Sequence, residues 1–590
     1  MSEHNFFSKD DPAFDDEPST TAAVTVPQAP KTPTVHLGTG GLYVKAPYEM
    51  RHALAAIPGA KWSPQAVAWT YPASPVAAHE LHLLLGASAI FDPGALDLAR
   101  KGAAVAQSSP AKVAALAKAG ELEPLPFDTP VKPWAHQLGM VRFAEPLSAA
   151  VWNVGMGAGK TAAALHLIRL RRHERVLVLA PLSVVAAWEK QAKEHAPGAV
   201  ALLALDHGSS QRRAREAVAF WQAGTEARPA IVVVNYECAS TPVFLAAAGA
   251  LGGLSLVVAD EAHKLKAPNG KQSRAIYHMA KHVPYRLALS GTLFPHSPMD
   301  AYGVYRFVDA GIFGNSFVAF RSRFAVMGGF QMKQVVGYQN RELFAKRIAP
   351  VTYEVSRDVL DLPEATHVER TFHLDAPSAA LYKSLRDDFV AEVEGGLVTV
   401  QNALSKLLRL SQVASGHVGL DISVEDYIAS ESQPQRPVRE VHRDKEKLLR
   451  ELLEEIPDDE AVVVFARFRH DLDQIARAAQ ACGGSAELSG RRNELAAWQA
   501  GGPRVLAAQV QSGAEGVDMT RARYCVFYSL DYSLGRYDQA LARVHRPGQH
   551  RPVTYVHIIA EGTVDRLVRK ALTNRRNVVE DVMAEIRSQS

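Results

Sequence analysis

Residues 149–168 read AAVWNVGMGAGKTAAALHLI, an apolar run that leads into a glycine-rich segment and then into a helical pattern. Glycines let backbone N–H groups approach phosphate oxygens, and the N-terminus of a helix adds a favourable dipole. Lys160 would neutralise the β- and γ-phosphates, and the Thr161 hydroxyl would hold Mg²⁺. The strict G-x-x-x-x-G-K-T spacing places Val154 where a first glycine is expected. The stretch predicts a phosphate-binding loop between a buried strand and a helix.

The alternation of apolar runs with helical stretches continues on both sides of this loop. Bracketed apolar runs of this kind are typical of a parallel sheet that is covered on both faces. They form two sets: AAVWNV, RVLVLA, AIVVVN, LSLVVA and YRLALS, then AVVVFA, PRVLAA, YCVFYS and VTYVHII. We predict an α/β protein with two parallel-sheet lobes, residues 129–355 and 446–590, separated by a mainly helical insertion and loop at 356–445.

A second candidate segment, VVADEAHKLK at 257–266, is an apolar strand that ends in two acids. Asp260, at the carboxyl end of the strand, can bind Mg²⁺ through water, and Glu261 can orient and deprotonate an attacking water. His263 is placed to sense a bound nucleotide. An ordinary strand-to-helix capping turn is the alternative, but the position after a phosphate loop in the same lobe favours nucleotide hydrolysis.

The second lobe contains QALARVHRPGQ at 539–549, which is rich in cationic and amide side chains. Arg543 and Arg546 are three residues apart, so in a helix they would share a face. Both would then reach across an interlobe cleft to a γ-phosphate as arginine fingers. A solvated basic helix is the alternative.

In their order along the chain these segments resemble a helicase-superfamily ATPase of the Swi/Snf type, a DNA translocase built from two RecA-like lobes. The resemblance covers roughly residues 130–570. Its motifs are KPWAHQ, GMGAGKT, LVLAPLSVVAAWEKQ, VVVNYE, DEAHKLK, LSGTLFPHSP, FRSRFA, SRDVLDLPEAT, VVVFARF, QSGAEGVDMTRA, QALARVHRPGQ and EGTVDRLV. FRSRFA and SRDVLDLPEAT are typical of this family rather than of helicases in general.

The resemblance implies ATP and Mg²⁺ as cofactors, with roles for particular residues. Nucleotide binding would fall to Gln137, which would read the adenine, and to Gly155, Met156, Gly157, Ala158, Gly159, Lys160 and Thr161. Thr161 and Asp260 would hold Mg²⁺. The catalytic residues would be Lys160, Glu261, Arg543 and Arg546, and the residues coupling hydrolysis to movement would be His263, Ser290, Gly291, Thr292 and Gln539. Leu293, Ala514 and Ala542 depart from the family pattern without removing any of these groups.

The N-terminal region divides into three further segments. Residues 37–95 are similar to the HARP domain of annealing helicases through VKAPYEMRHALAAIPGAKWSPQAVAWTYP. This implies a small α+β accessory module that binds DNA junctions or forks, with a purely packing role as the alternative. Residues 96–128 suggest a helix and a linker. Residues 1–36 are acidic and predicted to be disordered, either as a solvated tail or as a peptide that docks on a partner protein through its phenylalanines.

The charge balance predicts no strong global field, because 65 Lys and Arg face 62 Asp and Glu for a net charge of +3. DNA contacts must therefore come from local placement. Trp188, Tyr236 and Arg274, near the ends of motifs, are candidates, with core or surface roles as the alternative. Contacts to the DNA backbone would make binding sequence-tolerant and salt-sensitive.

The compartment follows from the cysteines and from the start of the chain. Three widely separated cysteines cannot form a disulfide framework, which indicates a reducing environment. The N-terminus lacks the basic start and apolar core of a signal peptide. Residues 238–259 are uncharged but contain Pro242 and three glycines, so we predict a soluble helix feeding a buried strand and no membrane contact. The expected location is cytoplasmic and not secreted, associated with the nucleoid if the source is bacterial or viral.

These observations together predict an ATP-dependent translocase on double-stranded DNA, duplex or forked, that remodels or reanneals branched structures. A helicase that separates DNA strands or acts on RNA is one alternative. A scaffold, or a motor subunit of a larger DNA-processing assembly, is another.

Overall fold

The computed structural model describes residues 32–291, 293–294, 297–329, 334–394, 400–419, 438–513 and 517–574. Most of the predicted acidic tail, and Thr292, lie outside these ranges. Within them the chain forms an N-terminal unit followed by two lobes, each built on a parallel sheet.

The N-terminal unit is a five-stranded sheet with helices packed against it, and its strand order is β3-β4-β2-β1-β5. Its strands are β1 (Thr34–Gly38), β2 (Gly41–Lys45), β3 (Lys61–Ser63), β4 (Ala68–Tyr71) and β5 (Ile90–Phe91), and its helices are α1 (Arg51–Ala56), α2 (Pro75–Leu85) and α3 (Pro93–Gln107). Ser74 caps α2 and Asp92 caps α3, each followed by a proline in the first turn. This sequence pattern fixes where both helices begin.

The first lobe is a seven-stranded parallel sheet in the order β14-β6-β11-β10-β7-β9-β8. Its strands are β6 (Ala149–Val154), β7 (Arg175–Ala180), β8 (Ala201–Leu205), β9 (Ala230–Asn235), β10 (Leu256–Ala259), β11 (Tyr285–Ser290) and β14 (Thr352–Val355), with a separate hairpin of β12 (Ala325–Gly328) and β13 (Gln334–Tyr338). Its helices are α4 (Pro110–Ala119), α5 (Ala135–Ala144), α6 (Lys160–Leu170), α7 (Leu182–His195), α8 (Ser210–Trp221), α9 (Tyr236–Ala239), α10 (Pro242–Leu251), α11 (Lys271–Ala280), α12 (Ala301–Val308), α13 (Phe317–Phe324) and α14 (Arg341–Ile348).

The second lobe is a six-stranded parallel sheet in the order β15-β22-β21-β18-β20-β19. Its strands are β15 (Ala365–Phe372), β18 (Val462–Ala466), β19 (Ser485–Leu488), β20 (Val505–Gln509), β21 (Tyr524–Phe527) and β22 (Val553–Ala560), beside a small ribbon of β16 (His417–Gly419) and β17 (Val438–Glu440). Its helices are α15 (Ala376–Glu394), α16 (Val400–Ala414), α17 (Asp444–Glu455), α18 (Arg469–Ala479), α19 (Leu495–Gln499), α20 (Val510–Gly513) and α21 (Leu534–Val544).

The central strand of the second lobe shows why its apolar run is continuous. Val463 and Phe465 of β18 pack into one hydrophobic cluster, whereas Val462 and Val464 pack into the cluster on the opposite face. Successive side chains of a strand point to opposite faces, so a strand covered on both sides needs apolar residues at every position. The predicted α/β class with two parallel-sheet lobes is confirmed.

The predicted start of the second lobe at residue 446 is too late for its sheet. Strand β15, within the segment predicted as an insertion, pairs in parallel with β22 at the edge of that sheet. Its sequence, ATHVERTF, is exposed at seven of eight positions and so carries no apolar run. Edge strands need fewer apolar residues than central ones, which is why the sequence pattern missed it.

Helices occupy much of the stretch 96–128, where the sequence suggests a helix and a linker. Helix α3 extends to Gln107, and Ser109 then caps α4. The Ser108 hydroxyl donates a hydrogen bond to the carbonyl of Pro350 beside β14. This stretch therefore packs on the first lobe as part of its surface.

The uncharged segment 238–259 is divided among α9, α10 and β10. Across the residues that the structure describes, no helix combines the length and the apolarity needed to span a bilayer.

The connection between the two lobes is short and is held at both ends. It begins after Val355, whose carbonyl accepts a hydrogen bond of 3.2 Å from the Gly155 N–H, and it ends at the start of β15. His545 Nε2 donates to the carbonyl of Pro363 at 2.7 Å. Asp361, in the middle, has a φ of 45°, which is unfavourable for a residue with a side chain.

Candidate functional site

The glycine-rich segment 155–159 forms the loop that the sequence predicts between β6 and α6. Gly157 and Gly159 have φ angles of 85° and 75°, in the left-handed region that favours glycine. Lys160 begins α6, and its Nζ donates a hydrogen bond of 2.9 Å to the carbonyl of Val154. The loop therefore carries its cation at the N-terminus of a buried helix, as a phosphate site requires.

Gln137 packs directly on this loop. A Cβ placed on Gly159 would lie 1.9 Å from Gln137 Nε2, so the contact needs a glycine. Gln137 Oε1 accepts a hydrogen bond of 2.9 Å from the backbone N–H of Trp134 and thereby caps α5. The neighbouring His136 donates through Nε2 to the carbonyl of Ala158 at 3.0 Å, and burial lowers the pKa of His136. Its imidazole is thus neutral at pH 7.

A cavity of about 600 Å³ lies beside His136. Its walls come from α4, from the start of α5 and from β14 with the residues that follow it: Ala114, Ala117, Lys118, Ala135, His136, Tyr353, Glu354, Val355, Ser356 and Val359. Its size and its largely apolar lining are those of a small-molecule site. Sequence reasoning assigned base recognition to Gln137 alone and missed this cavity, because α4 joins it only through tertiary packing.

Asp260 follows β10 at the edge of the sheet where the loop lies, and it is buried. Its Oδ2 accepts a hydrogen bond of 2.9 Å from Trp188 Nε1, and its backbone carbonyl accepts one of 2.7 Å from the Tyr236 hydroxyl. Trp188 and Tyr236 have no exposed surface. Of the two roles left open for these aromatic residues, DNA contact or a place in the core, the structure shows the second: they hold Asp260 in place.

Glu261 has a strained backbone, with a φ of 50°. Such a conformation costs about 1–3 kcal/mol in a residue other than glycine and is often found at functional sites. His263 Nδ1 lies 3.2 Å from Glu261 Oε2. The two side chains are therefore close enough for the imidazole to respond to what Glu261 contacts.

The surroundings of Asp260 and Glu261 shift the pKa values of these two acids in opposite directions. Burial and the neighbouring Glu261 carboxylate raise the pKa of Asp260. Burial also opposes ionisation of Glu261, but His263 and the charges of Lys160 and Arg543 outweigh it and hold the pKa of Glu261 below its usual range. Glu261 is therefore a carboxylate at neutral pH, as a residue that orients water must be.

The second lobe brings its basic segment against the same loop. A Cβ on Gly157 would lie 2.8 Å from Pro547 Cδ and 3.6 Å from Arg546 Cβ. Arg543, whose charge acts on Glu261, lies in the last turn of α21. Helix α21 ends at Val544, so the condition under which both arginines would share one helical face is not met. Arg546 lies in the turn that follows and donates through Nη1 to the carbonyl of Val517 at 3.2 Å.

Two of the predicted coupling residues, Ser290 and Gly291, lie at the end of β11, and Gly291 is next to the loop. Ser290 ends β11 and is fully buried, and a Cβ on Gly291 would lie 3.0 Å from Met156 Cγ. Gln539 is buried within α21. Thr292 lies outside the described residues.

The arrangement as a whole fits a nucleoside triphosphate with a divalent cation. The glycine cradle and Lys160 suit phosphate oxygens, Thr161 and Asp260 offer the oxygen ligands that Mg²⁺ prefers, and Glu261 lies beside them. Arg543 and Arg546 face this set from the other lobe. The chemistry that such a set supports is hydrolysis of the terminal phosphate.

Two family models match this chain, and curated proteins resemble it. The family SNF2-related domain matches residues 154–417, and the helicase conserved C-terminal domain matches residues 444–548. The chain is 27% identical over 463 residues to protein p41 of Acyrthosiphon pisum secondary endosymbiont phage 1, across 74% of this chain and 94% of that protein. Neither matched family region includes the N-terminal unit.

Two further similarities concern a longer protein and a solved structure. The chain is 22% identical over 486 residues to the DNA repair and recombination protein RAD54-like of Gallus gallus, across 73% of this chain and 63% of that protein. It is 20% identical to the Sulfolobus solfataricus SWI2/SNF2 ATPase core in complex with dsDNA, with a TM-score of 0.35 across 78% of this chain and 94% of that chain. The chain thus spans less than two thirds of the length of the RAD54-like relative.

Proposed function

We propose that this chain is a motor on double-stranded DNA. The premise is that the chain belongs to the Swi/Snf-type helicase superfamily and is a DNA-dependent ATPase. Hydrolysis of ATP would move it along the duplex without regard to sequence, in the cytoplasm. Its task would be to remodel or reanneal branched DNA. The N-terminal unit would serve as an accessory module that favours forks or junctions.

The observation that carries the proposal is the convergence of both lobes on one loop. Pro547 and Arg546 approach Gly157 from the second lobe, and the charge of Arg543 acts on Glu261 of the first. A site completed by two separate lobes can be assembled and taken apart by their relative movement. This is the property that a nucleotide-driven motor needs.

Each of these residues has a defined task in the proposed cycle. The loop N–H groups and Lys160 bind the phosphates, and Glu261 orients the attacking water and accepts its proton. Mg²⁺, held by Thr161 and Asp260, would neutralise charge on the β- and γ-phosphates. Arg543 and Arg546 stabilise charge that develops on the γ-phosphate. Their release after hydrolysis lets the second lobe shift its contact with DNA.

The coupling residues connect this chemistry to the rest of the first lobe. His263 contacts Glu261 and leads into the segment before α11, while Ser290 and Gly291 join the loop to the end of β11. A change at the γ-phosphate would therefore be transmitted to the segment before α11 and to the end of β11.

The test is steady-state ATP hydrolysis measured without nucleic acid and with single-stranded DNA, duplex DNA, forked DNA and RNA. The proposal expects the strongest stimulation with duplex or forked DNA. Stimulation mainly by single strands or RNA would contradict it in favour of a strand-separating helicase. Turnover with none of them would favour a scaffold or a motor that needs a partner subunit.

The cavity beside His136 gives a second prediction, for binding of the base. Ala114→Trp would fill this cavity from α4, whereas Ala115→Trp places the same side chain on the exposed face of the same helix. We expect Ala114→Trp to raise the KM for ATP by at least about tenfold, with little change in kcat, because it removes binding that ground and transition states share. Ala115→Trp should leave both values unchanged. Equal KM values for the two variants would place the base elsewhere.

A further inference from the structure

A second cavity, of about 630 Å³, lies where the N-terminal unit meets the first lobe. Arg286, which lines it, pairs with Ala149 at the beginning of β6, whereas the phosphate loop follows the other end of that strand. Arg286 therefore lies at the amino ends of the strands, whereas the phosphate loop lies at their carboxyl ends. We refer to this second cavity as the junction cavity.

The two units contribute different walls to the junction cavity. The N-terminal unit supplies residues 37–41, which contain the glycine-rich turn between β1 and β2, together with Pro72 and Ala73. The first lobe supplies four cationic side chains, here called the junction cations, Arg274, Lys281, Arg286 and Arg306, together with the imidazoles of His278 and His282. Arg274 and His278 are four residues apart on α11, so they share a face of that helix.

Little negative charge balances the junction cations. Asp309 is the one carboxylate among the described residues that line the cavity. Its Oδ1 accepts hydrogen bonds from the Ser74 hydroxyl and from the Gly311 N–H, at 2.7 Å for the latter, and its Oδ2 accepts one of 3.3 Å from the Val76 N–H. The charge of Asp309 acts on Arg286, but its carboxylate oxygens already accept three hydrogen bonds, two of which join the first lobe to the N-terminal unit.

Two buried donors at this cavity have no protein acceptor. The Nε atoms of Arg286 and Arg306 are buried and make no hydrogen bond within the described part of the chain, although Arg306 Nη2 donates to the carbonyl of Pro268 at 2.9 Å. A buried donor without an acceptor typically costs about 1–3 kcal/mol. An anion in the cavity would offset the mutual repulsion of these two guanidinium groups and of the exposed Arg274 and Lys281. Burial, together with Lys281, Arg274 and Arg306, lowers the pKa of His278, which agrees with uncompensated positive charge there.

We propose that the junction cavity is a phosphate-binding site, separate from the ATP site, that takes phosphate groups of the DNA backbone or of a free polyphosphate. The DNA source rests on the proposed motor function, whereas the chemistry of the site does not. Because its walls come from both units, a bound phosphate would link the N-terminal unit to the first lobe. DNA held there would fix the accessory unit relative to the motor.

The first experiment tests DNA as the source with the full-length chain. Arg274→Ala combined with Lys281→Ala removes two exposed junction cations, and Arg215→Ala combined with Arg228→Ala removes two exposed arginines near β8 and β9, on the far side of the same sheet. Fluorescence anisotropy of a labelled duplex between about 50 and 200 mM salt gives the slope of log K against log salt. We expect the first pair to reduce the magnitude of this slope by about 1.8, since each lost phosphate contact contributes about 0.9, and the control pair to leave it unchanged.

The second experiment tests a free phosphate compound with inorganic tripolyphosphate. Calorimetric titration would use the Lys160→Ala chain, in which the phosphate loop lacks its cation, with and without the Arg274→Ala and Lys281→Ala pair. Loss of binding on adding that pair, with an unchanged duplex slope, would support the site and assign it to a free polyphosphate. Unchanged results in both experiments, or equal effects of the control pair, would overturn the proposal. If DNA failed to stimulate ATP hydrolysis by the unsubstituted chain, the proposed motor function would be contradicted. The tripolyphosphate result would still test the phosphate site on its own.

Discussion

Glu261→Gln is expected to lower DNA-stimulated ATP hydrolysis by about 10²–10⁴-fold, the range that a positioned general base contributes. The substitution keeps the size of the side chain but removes the charge that His263, Lys160 and Arg543 stabilise. An amide cannot accept the proton of the attacking water. Binding of ATP and of DNA should remain, because neither the phosphate loop nor the lobe surfaces change. Steady-state hydrolysis at saturating ATP and duplex DNA measures the effect.

The control for this variant is Glu194→Gln, which makes the same change at an exposed position near the end of α7. It should hydrolyse ATP at the unsubstituted rate. Turnover by Glu261→Gln within a few-fold of the control would remove Glu261 from the catalytic step. Equilibrium binding of a non-hydrolysable ATP analogue to both variants separates a loss of chemistry from a loss of folding.

Arg543→Ala and Arg546→Ala are each expected to lower single-turnover hydrolysis by about 10³-fold or more, which is the contribution known for arginine fingers. Arg543 lies close enough to Glu261 to lower its pKa, and Arg546 lies against Gly157. Both residues belong to the second lobe, so the loss should appear in the chemical step rather than in the initial binding of ATP to the first lobe. Rapid-quench measurement of one turnover, with enzyme in excess, reads this step directly.

Arg492→Ala removes an exposed arginine of the second lobe and serves as the matched control. It should leave single-turnover hydrolysis unchanged. If only one of Arg543 and Arg546 proves necessary, the other has a structural task such as the contact of Arg546 with Val517. Retained hydrolysis in both variants would contradict catalysis at the interface between the lobes.

The strands that the sequence predicted are those that are buried on both faces. AAVWNV and RVLVLA coincide with β6 and β7 because a central strand must be apolar at every position. The strands of the two main sheets that it missed, β8, β14, β15 and β19, are short, only partly buried or exposed. Their place in the sheets depends on pairing with a neighbour rather than on a pattern of their own.

The chemical groups of the candidate site were predictable for a related reason. Asp260 and Glu261 follow a buried strand directly, Lys160 follows another after the short loop 155–159, and the carboxyl ends of parallel strands meet at one edge of a sheet. The groups that support them were not predictable in this way. Trp188 reaches Asp260 from α7, and α4 reaches the cavity beside His136 from outside the sheet. Only tertiary packing brings such residues to the site.

The short connection between the lobes limits how far its two attachment points can separate during the cycle of the proposed motor. Val355 and Ala365 are joined by a segment that spans at most about 35 Å when fully extended. Duplex DNA advances about 3.4 Å per base pair, so the fully extended segment has the length of about ten base pairs. Both ends of the segment contact the catalytic machinery, through Gly155 and His545. Covalent geometry therefore limits the separation of these two attachment points before any energetic cost is considered.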